Sequence, residues 1–417
     1  MSNYHKINYL LCIFICALPP SLVLGAAVME SFIFLSCMLF FFLNFKNVGT
    51  KYYSDKFFII FFLFCAYLIL SSILSENVLN SLRNTVFYFR FGIIVMIFLY
   101  LLEYFKKFEY LFFLSISITL FITIFYSYLQ LIVLHNYLNI YRISGLFGEE
   151  SIQGSFLLRI TPIFLIFYLY NSKDRNISHK FIPLTLLTLI FILILLSGER
   201  TSIFLMFIGI FLAFFLFRIN IKKTFLYIIY LIIVFSLTIS VYPAAKKRII
   251  DMTYDQVFFY IDSAGAKREK SFNIFSRGHQ DHFESAYIMF KQNYLTGVGV
   301  RNFRIECKKE IYKKVGEYHC STHPHNTYLQ LLSETGIIGL SFFLIFLGFI
   351  FSKLFFFLKN SYYKKQSNNK CLVLCFIVIF VNFFPLIPTG SFFNNWLSTL
   401  YFMPIALILH ELNRKTS

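Results

Sequence analysis

The sequence predicts an all-α polytopic membrane protein, and three observations support that prediction. The 417-residue chain is 58% hydrophobic and only 14% charged, whereas a soluble domain usually has about 25% charged residues. Apolar runs long enough to cross a hydrocarbon core of about 30 Å recur along most of the chain. These runs are continuous, whereas an outer-membrane barrel alternates apolar and polar residues over short segments, so a barrel is excluded.

About twelve transmembrane helices are expected, and some are short enough to require tilt or local thinning of the bilayer. They cover residues 7–26, 28–45, 57–74, 86–102, 110–134, 156–171, 181–198, 201–217, 224–242, 336–358, 371–388 and 392–410. The first span follows Lys6 and precedes Gly25-Ala26-Ala27, a pattern that a signal peptide also shows. Because eleven further spans follow, we expect an uncleaved first helix.

The distribution of basic residues predicts the orientation. With the N-terminus inside, the segments on the cytoplasmic side hold nineteen Lys and Arg, while the short outer loops hold only Arg83, Arg142 and Arg200. This asymmetry follows the positive-inside rule, so both termini are expected in the cytoplasm. The net charge of +18 therefore needs no nucleic-acid partner, because half of the basic residues anchor the topology.

The same orientation places one long polar segment, residues 243–335, outside the cytoplasm as a large and partly helical loop. Three regions result: 1–242 with helices 1–9, the loop, and 336–417 with helices 10–12 and a short cytoplasmic tail. Ser276 fits the N-cap of a first loop helix. That helix would place Phe283, Ala286, Tyr287 and Phe290 on one face.

A second amphipathic loop helix is expected from the fourfold spacing of Phe303, Cys307, Ile311 and Val315. Cys307 and Cys320 both lie in the outer loop, where an oxidising compartment would allow a disulfide between them. The sequence alone leaves their separation open. The remaining cysteines lie in spans or at their ends and are expected to pack as buried thiols.

Four motifs carry the functional signal, and they occur in order along the chain. "LLSGERTSIFL" contains Arg200, "SRGHQDHFESAYIMF" contains Arg277, and "GVGVRNF" follows. "HPHNTYLQLLSETGIIG" then places His325-Asn326 before Gly336 and Gly339. Together they resemble the O-antigen ligase and polymerase superfamily. The resemblance covers nearly the whole chain, because twelve spans with one large outer loop late in the sequence are typical of that superfamily. The same architecture resembles that of C-type glycosyltransferases.

The resemblance implies an inverting glycosyltransferase that uses neither metal nor other cofactor. Its donor would be a glycan on undecaprenyl diphosphate at the periplasmic face of the bacterial inner membrane. Its acceptor would be a hydroxyl of lipid A–core or of another glycan. Arg200 and Arg277 are expected to bind the diphosphate, since guanidinium groups stay charged and grip two phosphate oxygens. His325 is the expected base, since imidazole titrates near neutrality.

Supporting roles are expected for six further residues. Asn326 would cap or orient rather than react, beside His323 of the same segment. Glu199 would pair with Arg200. The other candidates lie in two outer segments: Arg142, Glu149 with its neighbour Glu150, and Trp396.

Arg142 and Glu149 could line the acceptor side. Trp396 is either an interfacial belt residue or a sugar-stacking one. Its turn, "PLIPTGSFFNNWLS", lacks the acidic residue that some ligases carry there, which leaves the identity of the acceptor open. Arg90 and Arg159 lie within or near spans, where a charged side chain usually has a function. They could contact Glu149, Glu150 or the diphosphate. Alternatively, their side chains extend to the outer membrane interface.

Other functions rank lower. A zinc site is disfavoured because the spacing of its ligand candidates matches no standard closed site; those candidates are His319, Cys320, His323 and His325, with His279 and His282 as further candidates nearby. Ligation ranks ahead of polymerisation of the lipid-linked glycan. Transfer to protein ranks below both, because the chain ends soon after span twelve without an extra outer domain. A transporter ranks last, since transporters gather polar residues near the bilayer midplane.

Overall fold

The computed structural model describes residues 3–44, 50–134, 142–171, 181–261, 267–269, 274–363 and 370–414. Within these ranges the helices are, in chain order, α1 (Asn3–Cys16), α2 (Leu18–Leu24), α3 (Ala26–Asn44), α4 (Lys56–Ile73), α5 (Val78–Thr85), α6 (Arg90–Tyr104), α7 (Phe108–Leu134), α8 (Gln153–Asn171), α9 (Phe181–Leu196), α10 (Arg200–Leu216), α11 (Ile221–Val241), α12 (Pro243–Lys246), α13 (Met252–Phe258), α14 (Arg277–Gln292), α15 (Phe303–Glu306), α16 (Glu310–Lys313), α17 (Thr327–Tyr363), α18 (Lys370–Asn382) and α19 (Asn395–Asn413).

A helix covers the position of each of the twelve expected spans. Among the described residues, eight helical segments are long and apolar enough to cross a membrane: Lys6–Leu24, Ala26–Leu43, Lys56–Ile73, Val78–Tyr104, Phe108–Val133, Gln153–Asn171, Ile221–Val241 and Thr327–Phe357. Three further apolar helices are shorter: Leu184–Leu196, Arg200–Leu216 and Lys370–Asn382. The protein is therefore a helical, multi-pass membrane protein, and twelve crossings remain a prediction.

Seven of the basic residues that predict the orientation lie outside the described residues: Lys46, Lys173, Arg175, Lys180, Lys364, Lys365 and Lys415. The all-α prediction has one small departure. Strands β1 (Phe259–Ile261) and β2 (Lys267–Glu269) pair antiparallel, with Tyr260 opposite Arg268.

The chain divides into two compact units. Unit 1 consists of Met1–Phe108, Phe275–Gln366 and Phe383–Ser417, and unit 2 consists of Glu109–Ile274 and Ser367–Asn382. Unit 1 holds α1–α6, α14–α17 and α19. Unit 2 holds α7–α13, α18 and the two strands. Each unit contains elements that are far apart in sequence.

Helix α6 occupies the interior of unit 1. Its residues 91–102 are all buried, as expected for a helix that is hydrophobic on every side. Arg90, at its first position, pairs with Glu30 through Nε–Oε2 and Nη2–Oε1 distances of 3.1 Å. Arg90 therefore has a carboxylate partner within α3. Engagement of Arg90 with Glu149, Glu150 or a diphosphate stays a prediction.

The first loop helix is present as α14, with Ser276 as its N-cap: Ser276 Oγ accepts a hydrogen bond from His279 N. The expected apolar face differs, because Ala286 is buried but Tyr287 is 47% exposed. Met289, fully buried, packs in place of Tyr287 against α15 and α16. Helical spacing thus identified the helix, while the orientation of its buried face depended on the packing partner.

The expected second loop helix is wrong. The chain forms two single turns, α15 and α16, and Ile311 is 47% exposed while Tyr312 is 1% exposed. Lys309 Nζ between the turns pairs with Glu306 at 2.6 Å and with Glu76 at 2.7 Å. This pairing accompanies a change of register, after which Tyr312 packs inward instead of Ile311.

Helix α17 is broken at Gly336, whose backbone has φ +65° and ψ −172°. The loop of residues 294–299 lies against this break, an arrangement we call the backbone crossing. Three backbone N–H···O bonds of 2.8–2.9 Å join the segments: Val298 to Ser333, Gly299 to Glu334, and Ile337 to Tyr294. Backbone C=O and N–H groups of α17 that lose their helical hydrogen bonds at Gly336 therefore form hydrogen bonds with the loop of residues 294–299 instead.

Unit 2 is built around α8, which packs against α18 and α9. Its loop segment of residues 142–152 is joined to α9, since Ile143 N donates to Leu196 O at 3.0 Å. Ile143 and Leu196 are buried together with Tyr242 and Ala245 of the α11–α12 corner. This small apolar cluster holds the start of the polar segment 243–274 against the ends of two helices.

Candidate active site

Four imidazoles converge in unit 1, and we call them the histidine cluster. His279 and His282 come from α14, and His323 and His325 come from the segment before α17. The ring centre of His325 lies 4.1 Å from that of His323, 5.2 Å from that of His282 and 5.5 Å from that of His279. The sequence analysis assigned His325 and His323 to the site, whereas it gave His279 and His282 no catalytic role.

The segment that carries His325 is fixed at both ends. A disulfide joins Cys320 to Cys307, with Cα atoms 5.0 Å apart. His325 itself has φ +55°, and its carbonyl accepts a hydrogen bond from Thr389 N at 2.7 Å. A left-handed backbone is uncommon for a residue with a side chain. The Thr389 contact therefore holds the imidazole in a direction that ordinary extended backbone would not give.

Asn326 anchors the other end of this segment. Its Oδ1 accepts from the backbone N–H of Tyr328 and of Leu329 at 3.0 and 3.1 Å, which is the geometry of an N-cap. Its Nδ2 donates to Pro385 O at 2.8 Å and to Ile387 O at 3.3 Å. One side chain thus starts α17 and attaches the outer turn before α19.

The imidazoles of the segment are held neutral. Burial, together with the neighbouring imidazoles, lowers the pKa of His325 to about 3. Burial, together with the charges of Arg304 and Arg301, lowers the pKa of His323 to about 4. His323 Nε2 lies 3.3 Å from Thr389 O and so donates to it, while His325 Nε2 lies 3.2 Å from Ser321 Oγ. A neutral imidazole that already contacts a hydroxyl is suited to accept a proton from one.

Three arginines are close to the histidine cluster in sequence or act on it electrostatically. Arg277 is the exposed first residue of α14, at the end of the helix that carries His279. Arg301 and Arg304 flank the start of α15, and the sequence analysis missed both. Both lie in the stretch "GVGVRNFR". Two arginines directly after a glycine-rich turn were the sequence signal that could have identified them as site residues.

In unit 2, Glu199 has a different partner from the one expected. Its Oε1 accepts from Gly154 N at 2.6 Å and its Oε2 from Ser155 N at 3.0 Å, with Ser202 Oγ at 3.1 Å. The carboxylate therefore satisfies the first N–H groups of α8, where a negative charge is also favoured by the helix dipole. No Glu199–Arg200 ion pair forms within the described residues, so that expectation is wrong.

Arg200 instead lies in a group of three arginines, which we call the arginine cluster. Arg142 and Arg248 are both within electrostatic range of Arg200, and Arg200 Nη1 lies 3.3 Å from Thr253 Oγ1. Arg142 is held by Ser197 O at 2.9 Å through its Nε. Arg248, in the turn after α12, was missed by the sequence analysis. Its signal was the basic run "AAKKR" directly after a span on the expected outer side.

The remaining candidates are not brought into either cluster. Glu149 is exposed in the loop before α8. Trp396, in the first turn of α19, donates from Nε1 to Leu22 O at 2.9 Å and so joins α19 to α2. Arg159 is buried within α8 and donates from Nη1 to Ser155 O at 3.1 Å. Through these hydrogen bonds Trp396 and Arg159 take part in helix packing.

Among the described residues, no three His, Cys, Asp or Glu side chains are arranged to hold a metal ion. The ring centres of His279, His282 and His323 lie within 5.5 Å of that of His325, but the four side chains do not form such a group. The absence of a metal in the reaction remains a prediction.

Comparison with known proteins gives one finding on identity. No curated protein matches the chain. The family model described as O-antigen ligase matches residues 184–344. That range contains Arg200, Arg248, Arg277, Arg301 and the whole histidine cluster. Over residues 184–344, less than half of its length, the chain is therefore similar to the O-antigen ligase family.

Proposed function

We propose that this protein transfers a glycan from undecaprenyl diphosphate to an acceptor hydroxyl, and that the reaction joins O-antigen to lipid A–core. The active site lies on the periplasmic face of the bacterial inner membrane, with the loop 243–335 outside and both termini in the cytoplasm. The observation that carries the proposal is the His325 imidazole, whose Nε2 lies 3.2 Å from the Ser321 hydroxyl within the region that is similar to the O-antigen ligase family. The distribution of basic residues supports the orientation.

His325 is the base of the proposed reaction. Its Nε2 already lies at hydrogen-bond distance from a hydroxyl, that of Ser321, so an acceptor hydroxyl can take the same position. With a pKa of about 3, the free imidazole is unprotonated at neutral pH. A bound diphosphate would raise this pKa, because nearby negative charge favours the imidazolium. The imidazole thus becomes a stronger base when the donor is present.

The arginine cluster and Arg277 stabilise the leaving diphosphate. Arg200 begins the 17-residue helix α10, so backbone N–H groups add to the charge of its guanidinium. Arg142 and Arg248 contribute two further positive charges beside it. Charge that develops on the leaving oxygen is stabilised by such fixed donors, and loss of one of them reduces the rate by about 10²- to 10³-fold in comparable sites.

The bonds balance without a metal or a nucleotide. The acceptor oxygen forms a bond to the anomeric carbon as the bond from that carbon to the diphosphate oxygen breaks. The proton of the acceptor hydroxyl passes to His325, and the electron pair leaves with undecaprenyl diphosphate. Attack opposite to the leaving group inverts the anomeric carbon. The energy of the step comes from the glycosyl diphosphate bond.

The test uses cells that lack the protein and carry wild type, His325→Ala, Arg200→Ala or Arg277→Ala. Glycan chain length is measured on both the lipopolysaccharide core and undecaprenyl diphosphate. His319→Ala is the matched control, because it removes an imidazole from the same loop whose Nδ1 pairs with Gly316 O. For the three site variants we expect long chains on undecaprenyl diphosphate and none on the core.

Two other results would change the conclusion. Single repeat units on both carriers would show that the enzyme polymerises the glycan rather than joining it to the core. Wild-type glycans on both carriers, with all three variants stably inserted in the membrane, would refute the proposed function. The His319→Ala control should match wild type in each case.

A further inference from the structure

Arg301 and Arg304, which we call the arginine pair, are incompletely satisfied in unit 1. The Nε atom of each is buried and has no hydrogen-bond partner in the described part of the chain. Arg301 Nη1 donates to Asn84 Oδ1 at 2.7 Å, whereas the Arg304 side chain makes no hydrogen bond or ion pair with any described residue. A partly buried guanidinium group without partners costs free energy unless a ligand supplies them.

The Glu334 carboxylate acts on Arg301 electrostatically, but it forms no ion pair with either arginine in the described part of the chain. Glu334 is fully buried, and its oxygens accept from Phe303 N at 3.3 Å, from Gln330 Nε2 at 3.0 Å and from the backbone N–H of Arg301. Burial lowers the pKa of Arg301 and the charge of Arg304 lowers it as well, while Glu334 acts in the opposite direction. Two guanidinium groups near a single carboxylate keep a net positive charge, which an anion would stabilise.

The backbone is held in an uncommon conformation to place Arg301. Its φ is +59°, a left-handed value that among the described non-glycine residues only Arg218 and His325 share. Asn80 Nδ2 donates to Arg301 O at 3.3 Å and to Asn302 Oδ1 at 2.8 Å, which fixes this turn. Such backbone strain is concentrated at functional sites. The turn is therefore built around the position of Arg301.

We propose that Arg301 and Arg304 bind a negatively charged group, a phosphate or a carboxylate, on the saccharide acceptor. This inference rests on the proposed function. Both arginines act electrostatically on His323, two residues from the base. In an in-line displacement the acceptor lies beside the base, while the diphosphate departs from the opposite face of the sugar. With Arg200 and Arg277 assigned to the diphosphate, the anion at Arg301 and Arg304 is assigned to the acceptor, whose hydroxyl it would position for attack.

A binding experiment tests whether the pair holds an anion. The thermal unfolding midpoint of the full-length protein in detergent is measured against inorganic phosphate, with sodium chloride at equal ionic strength as reference. Arg200→Gln and Arg277→Gln are present throughout, so that phosphate bound at those residues does not contribute. Adding Arg301→Gln and Arg304→Gln should raise the half-maximal phosphate concentration at least tenfold. Adding Lys308→Gln, which removes an exposed charge four residues after Arg304, should not. An unchanged phosphate response in the double variant would overturn the proposal.

A kinetic experiment identifies the substrate that carries the anion. Glycan transfer in membranes is measured against acceptor and against lipid-linked donor. Arg304→Gln should raise the KM for acceptor at least tenfold while the KM for donor and the rate at saturating acceptor stay at wild-type values. Arg304→Lys should restore part of the loss, because it keeps the charge. A rise in the KM for donor alone would assign the pair to the diphosphate and overturn the proposal.

The two experiments separate this inference from the proposed function. Wild-type membranes that transfer no glycan would refute the proposed function and, with it, the assignment to an acceptor. Wild-type transfer with an unchanged KM for acceptor in Arg304→Gln and in the double variant would refute only the present inference. Lys308→Gln should leave every kinetic value unchanged.

Discussion

Replacing Gly336 by alanine should destabilise unit 1 severely, because the residue lies where two backbones cross. Its φ of +65° with ψ of −172° belongs to a region that only glycine occupies readily. A methyl group at this position would also overlap the carbonyl of Leu295 in the opposing loop. Backbone atoms cannot move aside as a flexible side chain can, so the crossing itself would have to open.

The magnitude follows from those two costs. The disfavoured backbone conformation costs about 1–3 kcal/mol for a residue with a side chain. Opening the backbone crossing puts three backbone hydrogen bonds at risk, each with a net contribution of about 1 kcal/mol. The total is about 4–6 kcal/mol, which is a large fraction of the stability of a typical domain. For a unit of about 150–250 residues this corresponds to a fall of about 8 °C or more in the unfolding midpoint.

The chain offers a matched control in the same helix. Gly348 has no atom within 4 Å of the place where a Cβ would lie, so Gly348→Ala should be neutral or stabilise by up to about 1 kcal/mol through helix propensity. Both variants are purified in detergent, and their thermal unfolding is followed by the amount of monodisperse protein that survives heating. If Gly336→Ala and Gly348→Ala unfold at the same temperature, the backbone crossing does not stabilise unit 1 by the amount given above.

Three further predictions concern the surroundings of the site. The folded pKa values of His323 and His325, about 4 and about 3, lie below their ordinary value of 6.5. The unfolded chain therefore binds more protons below pH 6.5, and the unfolding midpoint should fall as pH decreases from about 6.5 towards 4; His325→Gln should flatten that dependence, and an equal slope would contradict it. Cys307→Ser should lower the midpoint by an amount equivalent to about 2–4 kcal/mol and abolish its sensitivity to reductant; a midpoint in wild type that reductant leaves unchanged would count against this role. Glu199→Ala should cost about 1–3 kcal/mol because two N–H groups of α8 lose their acceptor, whereas Ser202→Ala removes a single contact and should cost less; equal midpoints for the two variants would show that the carboxylate does not cap α8.

Local patterns in the sequence predicted what local physics determines. Long apolar runs can satisfy their backbone polar groups in a membrane only as helices, so helices lie at the expected spans. Ser276 begins α14 because its hydroxyl supplies an acceptor for N–H groups that the helix leaves free. Asn326 begins α17 for the same reason. These features need no knowledge of distant residues.

Features that depend on residues far apart in sequence were not predicted. The spacing of Phe303, Cys307, Ile311 and Val315 satisfies a helix, but Lys309 pairs with Glu76 from a loop more than 200 residues earlier. Glu199 was expected to contact its neighbour Arg200, yet its carboxylate caps a helix that begins more than 40 residues before it. In both cases the local pattern was compatible with two structures, and a distant partner selected one.

The backbone crossing also explains why the base is placed by rigid elements although it lies in a loop. Residues 327–335 form a short helical stretch that is fixed at its start by the Asn326 cap and at its end by the break at Gly336. The loop that enters this break leads within a few residues to Arg301, and the helix that precedes the loop carries His279 and His282. The base, its neighbouring imidazoles and the arginine pair therefore share one support. A disturbance at Gly336 should displace all of them together, so a glycine with no chemical role of its own is expected to be as sensitive for transfer as the residues that contact the substrate.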